Sequence, residues 1–275
     1  MQFGIHLPQY GRAGSGQSIR RAACLAEELG FDDVWVSDHV SQPASQSYPS
    51  PHLFDPFLTL ATAAAVTSKI GLGTSVLVAS QYHPVWLANA TASLDALSEG
   101  RLRLVVGVGW SEAEFDVLGQ SFHNRGLRTN EILEILRACW TTDPTNFKGS
   151  FYELDEVRVL PKPAHPIGMW IGGSSEAAYR RAARFGSGFQ VIGLKPDTVT
   201  APIHRLRVDH PDPALFTISL RTGWDPLGMD PSEIAAERIA FERAGVQHVV
   251  AAPWRNDLDS WLESMRRLAQ ILGLG

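Results

Sequence analysis

The feature that most narrows the folds open to this chain is an alternation. Short apolar runs rich in β-branched residues recur between segments with helical spacing, from the first residues to the last. Phe3 to Leu7 form the first run, stopped by Pro8, and Ile19, Ala22, Leu25, Ala26 and Leu29 then fall on one helical face closed by Gly30. Val34 to Ser37, Ile70 to Ala79 and Leu102 to Val108 repeat the strand pattern, separated by an alanine-rich helix over 57–67 and a helix carrying Leu87, Ala90, Thr91, Leu94 and Leu97. A loop rich in Ser and Pro spans 41–56. The pattern resumes with strands at 169–172, 188–192, 215–222 and 246–251. The last helix presents Leu258, Trp261, Leu262, Met265, Leu268, Ala269 and Leu272 on one face.

Eight nearly continuous apolar strands alternating with helices specify parallel pairing with helices outside. A closed (β/α)8 TIM barrel is the economical solution, with the whole chain, 1–275, as one domain. The competitor is a doubly wound open sheet, which would normally carry a Gly-rich phosphate loop after its first strand; here that strand ends in Leu7-Pro8-Gln9-Tyr10. Between the fourth and fifth barrel strands, helical patterns at 112–118 and 130–140 precede a hairpin-like excursion over 146–160. That excursion belongs to an insertion of roughly 141–167 after strand 4, confined to an edge by Pro161 and Pro163.

If the barrel is right, chemistry collects at the carboxyl ends of its strands. Asp38 and His39 follow the second strand, Tyr82 and His83 the third, Gly109, Trp110 and Ser111 the fourth. Gly172, Gly173, Ser174 and Ser175 follow the fifth, Trp224 the seventh, Trp254 and Arg255 the eighth. The Gly172 to Ser175 turn leads directly into a helix, so its backbone N–H groups form either an anion site or an ordinary capped turn. Gly107-Val108-Gly109 lacks the third glycine of a dinucleotide fingerprint, and its glycines instead let a flat ring or phosphoryl group approach the backbone. His39 is either a satisfied core histidine or, beside Asp38, a group that transfers a proton near neutral pH.

The net charge of -5, with acidic and basic residues interspersed, offers no basic stripe for nucleic acid and no polybasic membrane anchor. No charged n-region or stretch of about 18 apolar residues is present, so a cytoplasmic protein is expected. Cys24 and Cys139 fall on apolar helix stripes and read as small buried hydrophobes, and no metal site is expected.

Ala26 to His39, Ile70 to Val78, His83-Pro84, Leu94 to Leu102, Gly107 to Phe115, Leu160 to Pro163 and Trp170 to Ala178 together resemble the luciferase-like flavin oxidoreductases of the bacterial luciferase superfamily. More narrowly, they are similar to the deazaflavin branch, which uses coenzyme F420. The resemblance implies a cofactor at the carboxyl rim, with Asp38 and His39 facing its redox ring and His39 as the catalytic proton donor. It implies that Thr74, Ser75 and Val76 form a bulge behind the ring, with a non-proline cis peptide at Ser75-Val76. Gly107, Gly109 and Trp110 would approach the cofactor, and Gly172 to Ser175 would hold its phosphate.

The sugar-phosphate dehydrogenases of that branch carry a catalytic Glu after strand 4, where this chain has Trp110, which speaks against their substrate and mechanism. A small organic substrate would instead lie among Tyr82, Trp110, Trp224 and Trp254. The alternatives are an FMN-dependent monooxygenase fed by a reductase, and a carrier or sensor that keeps the cofactor site without the chemistry. Relatives of this kind are commonly homodimers.

Overall fold

The computed structural model describes residues 1–46, 52–210, 212 and 214–275. Positions 47–51, within the expected loop over 41–56, lie outside the described residues. Eight parallel strands close on themselves: β1 (Gln2–His6), β2 (Asp33–Val36), β3 (Gly71–Val78), β4 (Leu102–Gly107), β7 (Gly168–Gly172), β8 (Gly188–Ile192), β9 (Thr217–Thr222) and β10 (His248–Ala251). Each pairs with its predecessor in the series, and β10 pairs with β1 to complete the ring. The open-sheet alternative is excluded by that closure.

The excursion after β4 holds α4 (Glu112–Val117), α5 (Arg125–Thr141) and the strands β5 (Thr145–Lys148) and β6 (Glu153–Val157). β5 and β6 pair antiparallel with each other and with no barrel strand. The remaining helices α1 (Gly16–Glu28), α2 (Pro56–Ala64), α3 (Pro84–Leu97), α6 (Glu176–Phe185), α7 (Pro196–Asp209), α8 (Pro231–Ala244) and α9 (Leu258–Leu272) connect successive barrel strands or, for α9, return to the start.

Two cores result, because every barrel strand is buried on both faces. The larger lies between sheet and helices and takes the outward residues, such as Ile5, Val34, Val36, Leu72 and Leu104, together with the helix stripes. A smaller one, Trp35, Val105, Trp170 and Val250, fills the barrel, with the Trp35 and Trp170 rings stacked 5.8 Å apart. α9 shows how local sequence closes the ring. Asp257 caps it by accepting from the Ser260 N–H at 2.8 Å, Gly273 ends it in the left-handed region, and Trp261 is fully buried and donates its Nε1 hydrogen to the His6 carbonyl. Burying a side chain of that size contributes about 1.5–3 kcal/mol or more. Cys139 is buried as expected; Cys24 is half-buried and points its thiol at the Val66 carbonyl.

Candidate active site

All eight strand ends open onto one cleft of about 1180 Å³, at the carboxyl rim of the barrel. The β3 wall is the least regular part. Its pairing with β4 slips between Ser75 and Leu77, and the Ser75-Val76 peptide is cis, as the family resemblance implies. Two glycines make room for this bulge. A Cβ on Gly107 would stand 2.7 Å from Val76 Cγ2, and one on Gly172 2.7 Å from Val76 Cγ1, so any larger residue would push Val76 toward the cleft.

Asp38 is 2% exposed and receives two hydrogen bonds at 2.8 Å, from the Val78 N–H and the Tyr82 hydroxyl. Burial drives its carboxyl up to about 6 despite those donors and the neighbouring His39. His39 lines the cleft beside the Trp110 ring and directs Nδ1 to Glu114 Oε2 at 3.1 Å. Glu114 is 1% exposed, and its other oxygen accepts from the Val40 N–H at 2.6 Å and the Ser41 N–H at 3.3 Å. Burial alone would raise the Glu114 carboxyl, but the hydrogen bond and charge of His39, with the Val40 N–H, hold it below the usual range. With Nδ1 donating to that carboxylate, Nε2 is the nitrogen left to exchange a proton; among the described residues it has no hydrogen-bond partner.

Opposite, Gly172, Gly173, Ser174 and Ser175 line the cleft at the amino end of α6. The Ser175 hydroxyl oxygen caps that helix by accepting from the Ala178 N–H, which leaves its hydrogen, with the main-chain N–H groups of this turn, as donors to an anion. The floor carries Arg221, which donates to the Ser75 carbonyl and lies over the Trp254 ring at 5.0 Å. Beside it His6 is buried, with its rings' nitrogens at Leu7 O and Ser37 Oγ; burial, then the Arg221 cation, lower its pKa to about 3, so it is neutral.

The structure gathers Asp38, His39, Ser75, Val76, Gly107, Gly109, Trp110, Gly172 to Ser175 and Trp254 around this cleft. Three expected residues stand elsewhere. Trp224 is fully buried behind the rim, donating Nε1 to Glu237 Oε2 at 2.9 Å and packing on Phe241, because the chain after β9 turns it toward α8. Tyr82 sits behind the wall, stacked on Trp86 and holding Asp38, since the 3-10 turn Ala79–Gln81 carries it outward. The Thr74 hydroxyl bonds to the Val105 backbone within the sheet.

Sequence reasoning assigned no role to Glu114, Arg221 or His6. Only Glu114 left a trace, as a carboxylate beside the apolar Phe115 on a short helix whose buried face the two share.

A closed parallel barrel with a large cleft at its carboxyl rim, lined by a histidine on a buried carboxylate and by a helix amino end, is the layout in which barrel proteins of this class place their binding and active sites. The chain belongs to the luciferase-like monooxygenase family, whose profile matches residues 1–262. It is 34% identical to an F420-dependent glucose-6-phosphate dehydrogenase of Amycolatopsis mediterranei over 171 residues, 61% of this chain and 50% of that protein. It thus spans about half the length of the dehydrogenases it matches. It is also 28% identical to an uncharacterised Mycobacterium tuberculosis protein, Rv0953c, over 270 residues, covering 91% of this chain and 92% of that one. In fold it is similar to a monooxygenase from Streptomyces bottropensis (TM-score 0.83, 21% identity, 99% and 98% of the two chains). An F420-dependent secondary alcohol dehydrogenase in complex with an F420-acetone adduct shares that fold (TM-score 0.82, 20% identity, 98% of each chain).

Proposed function

We propose that this protein is an F420-dependent oxidoreductase that moves hydride between the deazaflavin and a small organic substrate held at the barrel rim. The observation that carries this is the match to F420-dependent dehydrogenases over about three fifths of the chain, joined to a rim cleft whose lining fits that cofactor. The fit rests on chemistry: a bulged wall seated between two glycines admits a flat ring, and the α6 amino end offers N–H donors to a phosphate.

When bound, the deazaflavin supplies hydride transfer, and the protein supplies position, a proton and the exclusion of water. Val76 and Ser75 back the ring from β3. Trp110 and Trp254 line the open side, where an apolar substrate packs. His39 gives a proton from Nε2 to the substrate atom that gains negative charge, or takes one in the reverse direction, while Glu114 holds the imidazole through Nδ1 and stabilises its cationic form. The Glu114 carboxylate is buried and fixed by two main-chain donors, so the imidazole is oriented before substrate arrives. Trp110 stands after β4 where a sugar-phosphate site would place a carboxylate, which favours an uncharged substrate.

Parallel titration of the purified protein with F420 and with FMN, followed by cofactor fluorescence, tests the reading. F420 binding at micromolar or lower concentration with FMN much weaker is expected. The opposite preference, together with oxygen consumption on reduced FMN, would overturn it in favour of a flavin monooxygenase.

A further inference from the structure

Five strands contribute polar side chains to the barrel interior that the chemistry above leaves unused. Ser75 on β3 donates its hydroxyl hydrogen to Gln190 Oε1 on β8 at 2.5 Å. Gln190 Nε2 donates to Ser219 Oγ on β9 at 3.1 Å, and Ser219 Oγ meets His248 Nδ1 on β10 at 2.8 Å. His248 Nε2 reaches the Asp33 carboxylate on β2 at 3.0 Å. Ser75, Gln190, Ser219 and His248 are fully buried, and Asp33 is nearly so. The path runs from Asp33, the first residue of β2, where Arg103 and Trp35 also bind the carboxylate, up to the bulge that lines the cleft.

The anchor sets the first step of this chain, and the singly protonated imidazole sets the rest. A carboxylate only accepts, so Nε2 of His248 must carry hydrogen. Arg103 and Trp35 donate to the same carboxylate, so Asp33 meets donors on every side. With Nδ1 as a lone pair, Ser219 donates to His248, leaving its oxygen to accept from Gln190. Gln190 then presents only its carbonyl to Ser75, whose hydroxyl must point inward. The Ser75 carbonyl is meanwhile held by Arg221, so both the hydroxyl and the carbonyl of this residue are tied down and Val76 is carried with them.

We propose that Gln190, Ser219 and His248 are positioning residues for the cofactor wall: a one-way hydrogen-bonded relay anchored on Asp33 fixes the Ser75–Val76 bulge from inside the barrel. This rests on the F420 reading above only for the identity of the ring that the wall supports. Losing one such bond is worth about five- to tenfold in an equilibrium, and members of one chain are not additive.

Two measurements test it. In cofactor-free protein, imidazole ¹⁵N shifts, assigned by comparison with His248→Asn, are expected to show hydrogen on Nε2 and Nδ1 as the acceptor from Ser219. An imidazolium or an Nδ1–H tautomer would overturn the relay's direction. In the second, Ser75→Ala and Gln190→Met each weaken F420 binding about five- to tenfold, and the double variant binds no worse than the weaker single. Ser219→Ala weakens it as well, whereas Ser219→Thr, which keeps the hydroxyl, binds like the parent. Unchanged binding in Gln190→Met, additive losses, or failure of the Thr variant to rescue would overturn the positioning role. A parent protein that takes FMN instead sinks the F420 reading alone, and the same variants are then read against FMN. One that binds neither overturns both the function and the wall's role, while the tautomer measurement still decides the direction.

Discussion

Asp38 offers a sharp test of the site's electrostatics. Its carboxyl titrates near 3.8 when unfolded and about 6 in the folded protein, because burial disfavours the charge more than Val78, Tyr82 and His39 favour it. The folded state therefore binds this proton more tightly than the unfolded chain. Stability linked to the site is greatest below the unfolded value and declines as pH rises from about 4 to about 6, after which the loss is complete. The gap corresponds to about 3 kcal/mol above pH 7.

Asp38→Asn removes the ionisation while keeping the shape: the amide oxygen accepts from the Val78 N–H, and the amide nitrogen donates to the Tyr82 oxygen once that hydroxyl rotates. Urea unfolding of parent and variant across this pH range is the assay, followed by tryptophan fluorescence. The other titrating groups, such as Glu114, are common to both proteins and largely cancel in the difference. The variant is expected to gain on the parent steadily between about pH 4 and pH 6, by about 3 kcal/mol in total. A difference that stays flat across that range, or one that moves in the parent's favour, would refute the assignment of a buried, reluctantly ionised Asp38.

Glu114→Gln places an amide NH₂ among three donors and deprives His39 of its anionic partner; turnover is expected to fall about tenfold or more while F420 affinity holds, and an unchanged turnover in steady-state kinetics would remove Glu114 from the mechanism. Trp224→Phe loses the bond to Glu237 and some packing, costing about 1–2 kcal/mol in denaturation experiments with kinetic constants unchanged; an altered KM would return this side chain to the substrate pocket. Gly172→Ala forces Val76 aside, so stability falls by about 1–3 kcal/mol and cofactor binding weakens; thermal melts and titration both matching the parent would show that the wall is not packed as described.

The barrel was legible because its cause is local. Strand runs such as Val34–Ser37 and 102–108 and helix stripes such as that of α9 are written within a few turns of chain, and strands buried on both faces pair parallel. The rim residues followed from the same periodicity: a polar residue just beyond a strand, such as His39 or Trp110, has nowhere to go but the carboxyl end.

Side-chain direction beyond the strand was not legible. Trp224 and Trp254 both follow strand ends in an apolar chain, yet one turns under α8 and the other into the cleft, depending on how each loop packs. Residues brought together by barrel closure were equally hidden. His39 and Glu114 are 75 positions apart, and Asp33 and His248 are 215 apart. In a strand apolar on both faces, nothing local says which residues point into the barrel and which toward the helices. The sequence alone therefore determined the eightfold barrel and which residues reach its carboxyl rim. Only tertiary closure, by bringing distant strands into contact, decided which carboxylate holds His39 and which side chains link Asp33 to Ser75 inside the barrel.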